Sequence, residues 1–271
     1  MFKAVSLFGR KKTTRPFKDY YVEWIETLKN TLLPLLRQSM SSVYLSRRLL
    51  SAHVEMIHRH FQAYFDALDL AASHDVAQLL YPDWRNPIEK PFLWLGDFHP
   101  YIYINLLRSF LDGDDDSDDG DSGGGGIQIG EGCELFDRPW NVVMAWKSPS
   151  RVLMARIDQI ERGLRLLVPA LVVRVRDVQA GFVARVAVDW GEGEKEGVKE
   201  RLGEAMRAQM EEMRGVFVDA NRLRRSVLAE IMAAINVHQA AVFLEGLAQF
   251  LVGFWDHELL GEFKRCKMPI N

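Results

Sequence analysis

Cysteine is scarce: Cys133 and Cys266 are the only two in 271 residues, and they lie far apart. Two such residues build no disulfide framework, and no Cys/His spacing resembles a zinc site, so a reducing cytosolic or nuclear compartment is expected, with a single disulfide as the minor alternative. Long apolar runs are missing too. The longest, residues 166–173, has eight residues where a membrane-spanning helix needs roughly 18. A basic excess is absent, since 34 Lys and Arg face 37 Asp and Glu for a formal net charge of −3, a poor match for a nucleic-acid backbone. Seven of those acids (Asp112, Asp114, Asp115, Asp116, Asp118, Asp119 and Asp121) fall within ten residues, and without them the chain carries +4.

Catalytic signatures are also lacking. The glycine run 123–126 is not followed by Lys-Ser or Lys-Thr and opens no helix after a strand, so it reads as flexible linker rather than as a phosphate cradle. No G-x-S-x-G elbow and no helical H-E-x-x-H occurs, and no acid/base pair stands out among the scattered carboxylates. His58 and His60 diverge by about 200° on a helix, and His53 and His60 are separated by about 10 Å along its axis, too far for one ion. His53 and His60 are expected to flank a helix seam, while His74, His99, His238 and His257 default to solvent or partial burial, the last two on one final helix. The residues therefore predict neither an enzyme nor a metal site.

What is present is helical periodicity. With 48% hydrophobic residues the chain can bury a core. Residues 17–38 place Phe17, Tyr20, Tyr21, Trp24, Leu28 and Leu32 at steps of three and four, with a bend expected at Pro34. From 42 to about 80 there is neither Pro nor Gly, and Leu50, Val54, Ile57, Phe61, Tyr64 and Leu68 form one seam. Residues 81–100 hold four prolines among aromatics and predict an ordered crossing loop pinned by Trp84, Phe92, Trp94 and Phe98, a structural clasp rather than an interface. A short helix over 101–111 precedes an acidic, glycine-rich insert, 112–131, whose composition predicts disorder.

Ser148 is a candidate N-cap for a long helix with Ile157, Ile160, Leu164, Leu167, Leu171 and Val175 in its seam and a kink at Pro169; its β-branched part, 168–178, is read as helix over strand. A further helix turns Leu202, Met206, Met213, Phe217, Val227 and Ile231 inward. The last follows Asn236 and turns Ala240, Phe243, Leu247, Phe250, Leu251 and Phe254 inward. No strand pair is evident, so the expected fold is all-α, an antiparallel bundle of about five to seven helices spanning 15–265 as a single domain.

The N-terminal 14 residues form a separate tail. Phe2 and Phe8 precede Arg10, Lys11 and Lys12, the reverse of a secretory signal, and Phe2 excludes N-myristoylation. The combination suits contact with an anionic membrane surface, and equally a solvated basic tail or a nuclear-import patch.

The stretch FKDYYVEWIETL and the segment AASHDVAQLLYPDWRNPIEKPFLWLGDFHP resemble the Delay-of-Germination domain, also found in plant TGA-type bZIP transcription factors. Trp84, Pro87, Glu89, Phe92, Trp94, Gly96 and Phe98 follow the order and spacing of that family, and DANRLRRSVL with NVHQAAVFL, including Gln239, resembles its closing segment. These positions are candidate structural or interaction residues. With about sixteen residues ahead of the domain and no basic region or zipper, sequence-specific DNA binding does not carry over.

Among stand-alone members, 148–186 and the first helix are most similar to those that act in forming pollen apertures. That resemblance implies a non-enzymatic scaffold in the cytoplasm and at plasma-membrane domains where exine is not deposited, working through protein partners: a second aperture factor and membrane-associated kinases. The alternative it leaves open is a nuclear transcriptional co-regulator. Some family members bind haem, but no ligating histidines can be assigned here, and no cofactor is expected from the residues themselves.

Overall fold

The computed structural model describes residues 15–41, 47–112, 140–189 and 195–266. The tail residues Phe2, Phe8, Arg10, Lys11 and Lys12, and the acidic insert beyond Asp112, lie outside the described residues.

The architecture is all-α. Its helices are α1 (Phe17–Thr27), α2 (Leu33–Ser41), α3 (Arg47–Asp75), α4 (Ala77–Leu80), α5 (Tyr101–Asp112), α6 (Trp140–Val143), α7 (Arg151–Asp189), α8 (Lys195–Ala234), α9 (Val237–Gly253) and α10 (His257–Arg265). Two of these are single turns, leaving eight longer helices among the described residues against the expected bundle of about five to seven. The extra ones arise at two breaks. Residues 17–41 divide at a π-helical turn, Leu28–Leu32, just ahead of Pro34. The widened turn accommodates the clash between the proline ring and the carbonyl four residues back, so the irregularity lies upstream of the proline rather than at it. The closing segment divides after Gly253, where Asp256 accepts from the Glu258 and Leu259 amides (2.8 and 3.0 Å) and starts α10 afresh. His238 and His257 thus sit on different helices, correcting the single final helix read from sequence.

The core lies where α3, α8 and α9 meet, with α1, α2 and α5 packed around them. Leu50, Val54, Ile57, Phe61, Phe65, Leu68 and Ala72 of α3 form the buried row that the period predicts. Asn236 caps α9 by accepting from the His238 and Gln239 amides, and the Asn236 backbone N–H in turn donates to Gln239 Oε1.

α7 and α8 form a long antiparallel hairpin, fastened by Arg156 to Glu230, Arg174 to Asp219 (2.5 Å) and Arg185 to Glu212 (3.2 Å). The β-branched stretch of α7 is helical, and the helix continues through Pro169. Its cap is Ser150, whose Oγ accepts from the Leu153 amide at 3.1 Å; Ser148, the expected cap, instead takes a positive φ of 54° in the preceding turn. Full burial on α7 ends at Leu171, with Leu167 exposed and Val175 half-buried. Leu202 and Met206 on α8, expected to face inward, are exposed; among the described residues Met206 faces the end of α3 across an open cleft rather than a packed element.

One strand pair does occur. Leu93–Trp94 (β1) and Asp97–Phe98 (β2) form a two-residue antiparallel ladder inside the Pro-rich crossing. The connecting residues Leu95 (φ 48°) and Gly96 (φ 87°) make a type I′ turn, too short for a periodicity signal to reveal.

Candidate functional site

The crossing segment 81–100 is held by charges that it carries into the core. Arg85, Glu89 and Asp97 are all buried. The Arg85 guanidinium donates to Asp97 Oδ1 at 2.7 Å, to the Tyr64 hydroxyl at 2.7 Å and to Glu89 Oε2 at 3.4 Å. It lies over the Tyr21 ring, 4.0 Å from the centroid. Tyr64 donates to Asp97 (2.6 Å), while Tyr21 and the Trp255 indole donate to Glu89 Oε1 at 3.1 and 2.8 Å. One guanidinium and two carboxylates thereby tie α1, α3, the crossing segment and the end of α9 together.

Burial sets the electrostatics of this cluster. It pushes the Glu89 carboxyl above the ordinary carboxylate range, against the pull of Arg85. It pushes the Tyr21 and Tyr64 phenols well up, so they act as neutral donors. Burial disfavours the Arg85 charge, but Tyr21, Tyr64, Asp97 and Glu89 around it hold its pKa well above the ordinary value.

A second buried arginine secures the hairpin. Arg224 of α8 donates from Nε to the Phe98 carbonyl (2.7 Å) and from Nη2 to the carbonyls of Trp94, Leu95 (3.2 Å) and Asp97 (3.3 Å). A guanidinium fork suits this cluster of carbonyl acceptors, which the two-residue turn brings within reach of one side chain. Burial pushes the pKa of Arg224 down.

The structure gathers six of the seven expected loop residues around this core. Trp84 is half-buried against Phe17 and Tyr21 and donates to the Gln78 carbonyl at 3.0 Å. Glu89 is the carboxylate just described, Gly96 forms the turn, and Phe98 is buried and stacked on Phe254. Phe92 is exposed yet edges against Phe250, and Trp94 is half-buried beside His99 with its carbonyl on Arg224. Pro87 is half-buried within the crossing. Gln239 stands apart in the α9 capping box, about 16 Å along the helix from Phe250.

Aromatics were expected to pin the loop, yet among them only Phe98 is fully buried, and the charged side chains sit deepest. Arg85, Asp97, Tyr64, Tyr21, Trp255 and Arg224 were missed as site residues. The available signal was the i,i+4 pair Arg85 and Glu89 within an aromatic, Pro-rich stretch where solvated charges have little place.

Among the described residues the Arg85, Glu89 and Asp97 side chains are fully enclosed, and the cavity beside Tyr64 and Phe98 holds only about 10 Å³. Among the described residues no three His, Cys, Asp or Glu side chains could hold a metal ion. His53 bonds Ser39, and His60 stacks on Trp24 with centroids 4.9 Å apart, its Nε2 3.0 Å from the Trp24 carbonyl. Burial pushes His60 below its ordinary value. An open cleft of about 320 Å³ lies between the end of α3 and α8, lined by His74, Asp75, Met206, Arg207, Met210 and Arg214. No single described helix is long and apolar enough to cross a membrane.

Residues 32–109 match the family described as Seed dormancy control (DOG1), a span that contains the whole crossing segment together with α3 and most of α5. The chain is 33% identical over 92 residues to rice Transcription factor TGA2.1, a match to 34% of this chain and 27% of that one. It is 35% identical over 265 residues to the rice Protein INAPERTURATE POLLEN 1 homolog, covering 96% of this chain and 93% of that protein. With Arabidopsis thaliana Protein INAPERTURATE POLLEN1 it shares 47% identity over 280 aligned positions, 97% of this chain and 98% of the relative. These end-to-end matches, with the family model over 32–109, place the chain in the INAPERTURATE POLLEN1 family of proteins carrying the DOG1 domain.

Proposed function

We propose that this protein acts in pollen aperture formation as a non-enzymatic scaffold. The observation that carries the reading is the 47% identity, over 97% of the chain, to a relative whose name ties it to pollen apertures. The geometry supports a scaffold because the charged cluster is enclosed, so it shapes and stiffens surfaces rather than meeting substrate. In this reading the protein works in the cytoplasm and at plasma-membrane domains where exine is kept off. It recruits protein partners there, a second aperture factor and membrane-associated kinases among them, and the tail residues Phe2, Phe8, Arg10, Lys11 and Lys12 contribute membrane contact.

The test is expression of a fluorescently tagged copy in an Arabidopsis line lacking INAPERTURATE POLLEN1, with a nuclear marker. Restored apertures with discrete plasma-membrane patches in tetrads are the expected result. Nuclear accumulation without patches points to a transcriptional co-regulator instead, a second reading favoured by the partial match to TGA factors. Normal localisation with no restored apertures sinks both.

A further inference from the structure

The outer side of α7 is apolar where the core makes no use of it. Leu153, Ile157, Ile160, Leu164 and Leu171 are buried against the bundle. On the opposite face Leu166, Val173, Ala180 and Ala187 recur every seven residues, all exposed, with Val183 beside them. Leu166 is 74% exposed, Val183 63% and Val173 43%. Isolated exposed apolar residues are ordinary, but this row continues for about 32 Å along the helix.

The period and the charges say what covers it. A seven-residue recurrence is the one at which a second helix stays in register along the first. A bilayer-surface helix would carry Trp, Phe or Leu throughout its apolar face, whereas here the distal half is small, Ala180 and Ala187 with Val183, which lets a neighbouring backbone approach closely. Arg162 and Arg176 edge the row without an ion pair among the described residues. Arg165, Arg174 and Arg185 are already engaged by Glu161, Asp219 and Glu212, and between Arg162 and Ala187 Asp177 is the single acid beside the row among the described residues. A second copy would set one arginine-edged face against another.

We propose that this face docks an amphipathic helix of a protein partner that carries Asp or Glu beside its apolar row. The proposal deepens the scaffold reading by naming a recruiting surface, and it rests on that reading only for its biological use.

The experiment titrates the full chain with two synthetic helical peptides that share a leucine heptad row and differ in having Glu or Lys at the flanking positions. The Glu peptide is expected to bind at least tenfold more tightly, less so as salt rises, and to lose binding to a Val173→Glu variant. An Arg162→Glu, Arg176→Glu double variant should prefer the Lys peptide. All three positions are exposed, and unchanged melting temperatures verify folding. Equal or absent binding of the two peptides by folded protein overturns the proposal. So does self-association that Val173→Glu abolishes, which identifies a second copy, or binding to phosphatidylserine vesicles that Val173→Glu abolishes, which identifies a bilayer. Failure of these peptides leaves the aperture reading to its own complementation test, and failure of complementation leaves a measured peptide affinity standing.

Discussion

Arg85 is enclosed between Asp97 and Glu89 with Tyr21 beneath it, so its value to the protein depends on all its partners being present. Removing one member of a buried charge set leaves the others uncompensated. Arg85→Ala is therefore expected to destabilise the fold by about 3–5 kcal/mol in chemical denaturation; a loss comparable to that of an exposed-arginine variant would show that water reaches the cluster. Glu89 makes a pH prediction. Burial raises its pKa in the folded state, so between the unfolded and folded values the native state holds the extra proton, and stability falls as pH rises through that window. Glu89→Gln lacks this titration. The stability difference between variant and wild type should shift in favour of the variant as pH is raised from about 4.5, and a pH-independent difference would refute the assignment. These residues were hard to read in advance because charged side chains default to solvent, and nothing in the local sequence states that Tyr21, Tyr64 and Trp255 will close over them.

At the scale of elements, the hairpin turn shows how local chemistry and tertiary space act together. Gly96 has a φ of 87°, and a Cβ there would lie 2.6 Å from the Phe217 ring of α8. Gly96→Ala combines backbone strain with overpacking, and a loss of about 2–4 kcal/mol is expected from the sum of the two costs. A melting temperature within a degree of wild type would show that α8 yields freely at this point. The α1 to α3 contact supplies a second pH effect. His60 stacks on Trp24 and is pushed below its ordinary value by burial, so its contribution is complete above about 6.5 and is lost as pH falls toward the folded-state value. His60→Gln should flatten the fall in stability between about pH 7 and 5; an unaltered slope would assign that fall to other groups. The helices themselves were legible, since the three-and-four spacing in α1, α3, α7 and α9 survives into the buried rows. The two-residue strands and the π turn were not, because neither is long enough to repeat.

For the whole molecule, the relevant division is between the bundle and the far end of the α7–α8 hairpin. On α7 full burial ends at Leu171, eighteen residues before the helix ends at Asp189. Amide protection should accordingly be high across 153–171 and decline toward 189, as hydrogen exchange read by mass spectrometry can report; uniform protection would mean that this end is packed as tightly as the core. The same geometry explains the error over Leu202 and Met206. Their spacing marks a helix face, but spacing cannot say whether another element reaches that far.

The helical class, the main helix faces, the Pro-rich crossing and the family resemblance follow from periodicity and motif order, which are written along the chain. Tertiary structure decided which charges are buried and which apolar rows remain uncovered. Arg224 meets the hairpin carbonyls from 126–130 residues away, and Trp255 meets Glu89 from 166. Contacts between positions so far apart are set by how helices pack, and only the folded chain brings them together.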